Sequence, residues 1–311
     1  MKRAVLSIII AIVLYTVLVL QSDIQKVVSS ADSINLKWVP LFLLLPLLNY
    51  VIRFGKWAYF LHRIGEKVPL KENFLIFIAG FSMTVSPGKM GELLKCSLLK
   101  KKFGIPVEKT SPIVVAERLT DLISMVLLAL IGALLVRSSV ALPVAAAGAA
   151  FVAIIMLVLM NYRAWSIFSK IAGKVPLLKT KTHFFEEFRN AATTLLNVKS
   201  LLVSVPIGMV SWGIEALVLC VVAASMGYNL PVGVALLSHS AGSVAGAISM
   251  IPGGLGLTEV TIDGILCGYL PEATATVTTL LMRFATLWFS VVLGVIALWI
   301  VKRGEKSKNP H

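Results

Sequence analysis

Two arginines, Arg118 and Arg283, each lie about eight residues inside a stretch apolar enough to cross a bilayer, on the order of 12 Å deep at 1.5 Å rise per residue. A charge at that depth costs roughly 2.5–3.5 kcal/mol even on lenient insertion scales, so a functional role is the default expectation. Each arginine follows a Pro-Gly break that carries a carboxylate. The first break reads Ser86-Pro87-Gly88-Lys89-Met90-Gly91-Glu92 and the second Ile251-Pro252-Gly253-Gly254-Leu255-Gly256-Leu257-Thr258-Glu259. The arginines are expected to bind phosphate, with Glu92 and Glu259 either holding them or cycling protons. A structural role competes with this: Arg118 could pair with Asp121 one turn on, and both arginines could tie a span to its break through Glu92 or Glu259.

Backbone amides cannot be left bare in lipid, so a helix interrupted at membrane depth must face protein or a polar cavity. Proline lacks an N–H and glycine tolerates unusual dihedrals, which suits both to a helix that stops and restarts. The restarted half presents free N–H groups and a positive dipole end, a site for phosphate or carboxylate, and Lys89 adds a full charge. The expected substrate-binding set is therefore Pro87, Gly88, Lys89, Gly91, Glu92, Arg118 and Asp121 in the first half, and Glu215, Pro252, Gly253, Gly254, Gly256, Glu259 and Arg283 in the second. Glu215 has no Lys or Arg near it in sequence, and either faces a cavity in protonated form or pairs with Arg283. His239, between Ser238 and Ser240, reads as a hydrogen-bonded packing histidine more readily than as a proton carrier. Asn49, Glu117 and Asp263 are weaker candidates. Gly242, Ser243, Ala245, Gly246 and Ala247 read as close helix packing.

The elements that must position these residues follow from hydropathy and charge. A chain of 311 residues that is 58% hydrophobic and 14% charged, with mean hydropathy +0.90, has more apolar surface than a soluble core can hide. Its net charge of +14 sits in short clusters between apolar runs, as the positive-inside rule requires, which argues against nucleic acid as a partner. Six stretches are long enough to span: 4–20, 38–60, 112–136, 140–160, 201–226 and 276–301. The first is expected to be an uncleaved helix rather than a signal peptide, because the run is long and no A-x-A-like site closes it. The two Pro-Gly segments, near 73–100 and 231–270, do not read as simple spans. Arg53, Lys56, Arg63, Lys67 and Lys71 precede the first, and Lys89, Lys95, Lys100, Lys101, Lys102 and Lys109 follow it. Positive charge on both flanks makes it a hairpin that enters and leaves from the cytoplasmic side. No Lys or Arg lies between Lys199 and Arg283, so the second hairpin opens outward. Phe184, Phe185 and Phe188, among the charges of the 161–200 loop, suggest an amphipathic helix on the inner surface.

An offset of 165 residues carries Arg118 onto Arg283, Leu122 onto Leu287 and Val126 onto Val291, and maps the second span onto that at 201–226. The expected fold is an all-α polytopic membrane protein of six full transmembrane helices plus two re-entrant hairpins in an inverted-topology repeat. Residues 1–137 form the first repeat, 138–302 the second and 303–311 a cytoplasmic tail, with both termini cytoplasmic.

With these motifs, and with Ala116-Glu117-Arg118-Leu119-Thr120-Asp121, the chain resembles over nearly its whole length a flippase-like membrane family related to the transmembrane part of lysylphosphatidylglycerol synthases. In bifunctional relatives this module is held to translocate an aminoacylated phospholipid that a separate soluble domain makes. The sequence shows no such domain, so the resemblance implies lipid handling without aminoacyl transfer. Stand-alone members are associated with polyprenyl-phosphate-linked sugars or other lipids. The expected activity is movement of an anionic phospholipid or polyprenyl-phosphate lipid between leaflets of the cell membrane. In this alternating-access scheme the hairpins line a polar central groove. A homo-oligomer or a lipid-synthesis enzyme are the protein partners considered. The competing classes are a membrane enzyme acting on a lipid phosphate and a non-transporting partner of a lipid-synthesis complex. His62, His183, His239 and His311 are scattered, the three cysteines match neither disulfide nor metal spacing, and no Walker-type loop is present. No catalytic set, metal or cofactor is expected.

Overall fold

The computed structural model describes residues 24–86, 91–137, 141–172 and 182–308. All regular structure there is helical: α1 Ile24–Asp32, α2 Val39–Arg63, α3 Leu70–Gly80, α4 Leu94–Phe103, α5 Val107–Val136, α6 Ala141–Met160, α7 Tyr162–Ala172, α8 Thr182–Leu195, α9 Val198–Ser225, α10 Val232–Ile248, α11 Leu257–Leu266, α12 Glu272–Arg283 and α13 Phe289–Lys308. Four continuous helical runs are long and apolar enough to cross a membrane: Leu36–Arg63, Val107–Val136, Val198–Ser225 and Glu272–Arg303. The apolar parts Ala146–Val158 and Val232–Ile248 are shorter. The expected span at 4–20 lies outside the described residues, as do Pro87, Gly88 and Lys89. Solvent preference is reversed relative to a soluble domain: Leu134 and Leu202 are 78% and 71% exposed, while Asn49, Lys56 and Glu259 are wholly buried. The chain is an all-helical membrane protein.

Three helix contacts organise the interior. α2 packs along α9, α5 along α10, and α13 along α3 and the 3₁₀ turn Phe81–Met83. Two glycines permit the closest approaches, since a Cβ on Gly132 would lie 2.6 Å from the Leu237 amide and one on Gly294 would lie 2.1 Å from the Ser82 amide. Under the 165-residue shift α3 maps onto α10, α5 onto the α12–α13 run, and α2 onto α9. The contacts α5 with α10 and α13 with α3 are therefore equivalents, and α2 with α9 maps onto itself. Such reciprocity is the packing that a two-fold relation between similar units generates.

Each broken segment is a pair of helices that touch across their break. In the second, α10 and α11 are drawn together at Gly242, against Thr258 O and Ile262, and at Gly246, against Thr258 and Gly254. The small residues there do pack closely, as expected. Between the arms the backbone turns through Gly253 and Gly254 at φ 64° and 66° and Gly256 at 89°, dihedrals that a Cβ disfavours. The Gly256 N–H then donates to Glu259 Oε2 at 2.7 Å, so the carboxylate caps the helix it belongs to. In the first, the Gly91 N–H donates to Ser86 Oγ at 2.6 Å. Among the described residues of the 161–200 region are helices α7 and α8, with Phe188 of α8 stacked on Trp165 of α7 at 6.0 Å. The Phe184 and Phe185 side chains lie outside the described residues.

Candidate functional site

The first break, α2 and α5 bring seven charged side chains together. In α5, Glu117 and Asp121 are four residues apart and share a face, with Arg118 beside them. Arg118 bridges Glu92 at 3.0 Å and Asp121 at 3.4 Å. Lys95, one turn beyond Glu92, reaches Glu117 at 2.6 Å and Glu92 at 3.6 Å, with its ammonium 4.2 Å from the Trp57 ring centroid. From α2, Lys56 donates to Asp121 Oδ1, and Arg53 lies 3.8 Å from Asp121 Oδ2. Four cations thus face three carboxylates, so the cluster carries a formal surplus of one positive charge among the described residues. Six of these side chains are 8% exposed or less, but that of Arg118 is 24% exposed. Arg118 Nε and Arg53 Nε are buried with no hydrogen-bond partner. A buried guanidinium with a free donor at the open edge of a net-positive cluster is suited to an anionic headgroup.

The second break is simpler. Arg283 Nε donates to Glu259 Oε1 at 2.7 Å and Nη2 to Gly253 O at 2.8 Å, so one guanidinium binds both the carboxylate and the turn carbonyl. Immediately after Arg283 the helix widens into a π-helical turn, Phe284–Trp288, a distortion frequent at functional sites. The Tyr50 hydroxyl of α2 donates to Thr286 O within that turn at 3.0 Å. Both expected Arg–Glu ties are therefore present, and Arg118 also pairs with Asp121.

A third polar group lies between helices α2, α9 and α10. Asn49 Nδ2 donates to Glu215 Oε2, and His239 Nε2 is 3.8 Å from Glu215 Oε1. The His239 ring sits 5.9 Å from the Trp212 ring, over which the Arg53 guanidinium lies at 5.0 Å. Glu215 is buried, and its contacts include Asn49 and His239. Asn49, Arg53 and Lys56 lie on one buried stripe of α2.

The two clefts found are apolar, one of about 380 Å³ between α5 and α9 lined by Leu127, Leu202 and Met209, the other of about 250 Å³ between α2, α3 and α13 lined by Tyr50, Phe74 and Ile296. Six of the seven charged side chains of the first cluster are packed away from solvent, and Arg118 is part exposed.

The family model of the lysylphosphatidylglycerol synthase TM region matches residues 4–294. The chain belongs to this family. A UPF0104 membrane protein of Methanocaldococcus jannaschii is 28% identical to it over 234 residues, 74% of this chain and 98% of the relative. One from Pyrococcus horikoshii is 26% identical over 326 residues, 95% of this chain and 96% of the relative. A third, from Methanothermobacter thermautotrophicus, is 25% identical over 268 residues, covering 79% and 78%.

In this lysylphosphatidylglycerol synthase TM-region protein, Arg53, Lys56 and Lys95 require a correction. Sequence placed them among solvated flanking charges of the first hairpin, but they are 6%, 0% and 1% exposed and face carboxylates. Burial of Lys56 and Lys95 is sustainable because Asp121 and Glu117 meet them directly. The available signal was spacing: Asn49, Arg53 and Lys56 repeat at four and three residues inside an apolar helix, and Glu117 and Asp121 repeat at four. Asp263 is away from all three groups, with its carboxylate near Cys267 Sγ at 3.9 Å.

Proposed function

We propose that this protein moves an anionic or phosphate-bearing lipid, such as a phospholipid or polyprenyl-phosphate lipid, between leaflets of the cell membrane by alternating access. The observation that carries the reading is the repeated tie of a long helix to a broken one, Arg118 to Glu92 and Arg283 to Glu259, each beside a Pro-Gly break in the sequence. Reciprocal packing of α5 on α10 and α13 on α3 supports two inverted repeats, with residues 73–100 and 231–270 as hairpins entering from opposite faces. In this reading the structure is an occluded state. The headgroup exchanges with the carboxylates for Arg118 on one side and Arg283 on the other, while the tails occupy apolar clefts open to the bilayer. Differential binding to the two open states is what would let the lipid shift the equilibrium between them.

The test is exchange of fluorescent phosphatidylglycerol between leaflets of proteoliposomes. Arg118→Ala and Arg283→Ala are each expected to reduce the rate at least about tenfold, the loss of a charge-assisted contact of about 1.4 kcal/mol or more. Unimpaired exchange in both variants sinks the assignment. A chemically altered lipid recovered from the vesicles would instead favour an enzyme acting on the lipid phosphate.

A further inference from the structure

The Glu215 group places a carboxylate and an imidazole beside each other inside the helix bundle. Glu215 is 6% and His239 3% exposed, and their facing atoms are 3.8 Å apart. At that separation a carboxylate and an imidazole are not hydrogen-bonded but titrate as a coupled pair, and imidazole is the side chain that titrates nearest neutrality. Asn49 Nδ2 holds one carboxylate oxygen and leaves the other directed at the ring.

The surroundings connect this pair to the first break. From α2 come Tyr50, in the electrostatic field of both Glu215 and Arg53, and Arg53 itself, over the Trp212 ring that neighbours His239. Arg53 lies one turn beyond Asn49 on α2 and over the Trp212 ring, one turn before Glu215 on α9. From α5 the charged group is Asp121, reached through Arg53. α12 contributes Arg283, engaged with Glu259 of α11, and α6 carries no titratable side chain. On its far side Arg53 approaches Asp121 Oδ2 at 3.8 Å, the same oxygen that Arg118 approaches at 3.4 Å. One carboxylate oxygen is therefore shared by two guanidinium groups: that of Arg53, which lies over the Trp212 ring one turn from Glu215, and that of the part-exposed Arg118.

We infer that Glu215 and His239 form a proton-binding site that controls, through Arg53, how firmly Asp121 holds Arg118, and so couples proton uptake to binding of the anionic headgroup. The inference rests on the transport reading for its consequence, but the proton site stands on its own geometry. With the pair unprotonated, the Glu215 charge draws Arg53 toward α9 and leaves Asp121 Oδ2 to Arg118. A proton from water, taken by the carboxylate or the imidazole, cancels that pull. Arg53 then settles on Asp121 Oδ2, and Arg118 is released toward the ligand. The sign follows: headgroup binding strengthens as pH falls, and by reciprocity a bound anion favours proton uptake.

The test is leaflet exchange of fluorescent phosphatidylglycerol, a phosphodiester with constant charge, read by albumin back-extraction at about pH 5.5 and about pH 8, on either side of the usual imidazole range. The wild-type protein is expected to run about tenfold faster at the acid pH, a typical coupling between sites. Glu215→Gln keeps an acceptor for Asn49 and imitates the protonated carboxylate; it and Arg53→Gln should each bring that ratio close to one. A wild-type rate that is equal at both pH values overturns the inference, as does a ratio that survives in Glu215→Gln. If folded wild-type protein moves no lipid at either pH, the transport reading fails instead. The proton site is then judged in detergent by nitrogen-15 histidine resonances, with His239 assigned through His239→Gln. A His239 titration midpoint that moves in Glu215→Gln supports the site, and one that does not move overturns it.

Discussion

Around Glu92 seven charged side chains meet from α2, α5 and the chain entering α4, whereas around Glu259 the pairing centres on the single guanidinium of Arg283. The two breaks share a sequence pattern and one Arg–Glu tie, yet they solve the problem of charge in lipid differently. The first spreads the cost over a network in which every carboxylate has at least two basic neighbours or one in direct contact. The second keeps few charges and uses backbone instead: glycines at positive φ turn the chain so that Gly253 O and the Gly256 N–H meet Arg283 and Glu259. A network tolerates rearrangement because partners can be exchanged, while a single buried pair is closer to all or none. The first break is thus better built to release an arginine to a ligand, and the second to anchor a helix.

Removing each arginine tests this difference most strongly. Arg283→Ala is expected to lower stability by about 3–5 kcal/mol, because it strips the guanidinium from a wholly buried carboxylate and from a turn carbonyl together. Arg118→Ala should cost only about 1 kcal/mol, since Glu92 keeps Lys95 and Asp121 keeps Lys56 and Arg53, and the lost side chain is already part exposed. Thermal and denaturant unfolding in detergent measures both, and equal losses would erase the distinction. Loss of transport in Arg118→Ala with stability kept is the sharper signature.

Glycine substitutions come next. Gly253 has a left-handed backbone with no neighbour closer than 3.6 Å to an added Cβ, so Gly253→Ala should cost about 1–2 kcal/mol and Gly253→Asn less, because Asn tolerates that region. At Gly91 space is the limit, with Met83 Cβ 2.3 Å from an added Cβ. There the order reverses, and Gly91→Asn should be worse than Gly91→Ala. The ranking at each position, read from midpoints of unfolding, separates dihedral strain from crowding. The smallest effect is expected outside both breaks, where Lys109 meets Glu66 at 2.5 Å with 43% of its side chain exposed: Lys109→Ala should change stability by less than about 1 kcal/mol.

Hydropathy placed the long helices nearly where they fall: 38–60 was expected and α2 is Val39–Arg63, 201–226 was expected and α9 is Val198–Ser225. The Pro-Gly signatures and the 165-residue offset also marked the arginines and the carboxylates that meet them. Arg53, Lys56 and Lys95 were missed because the positive-inside rule counts charge by position along the chain, and these residues stand at the ends of apolar runs where solvated lysines also stand. Glu215 was singled out, but its contacts with Asn49 and His239 were not legible, since these come from helices 166 and 24 residues away in sequence.

What the sequence determined by itself is whatever depends on one segment and its solvent: that helices cross lipid, where proline and glycine interrupt them, and that an arginine inside each of two long apolar helices needs a partner. Those follow from transfer energies and backbone dihedrals, which are local. Which carboxylate neutralises which cation was decided only when α2, α5 and α9 packed, because a Coulomb contact depends on separation in space and two turns of a neighbouring helix are as close as one turn of the same helix. The shared oxygen of Asp121, held by Arg53 on one side and Arg118 on the other, exists only in that packing.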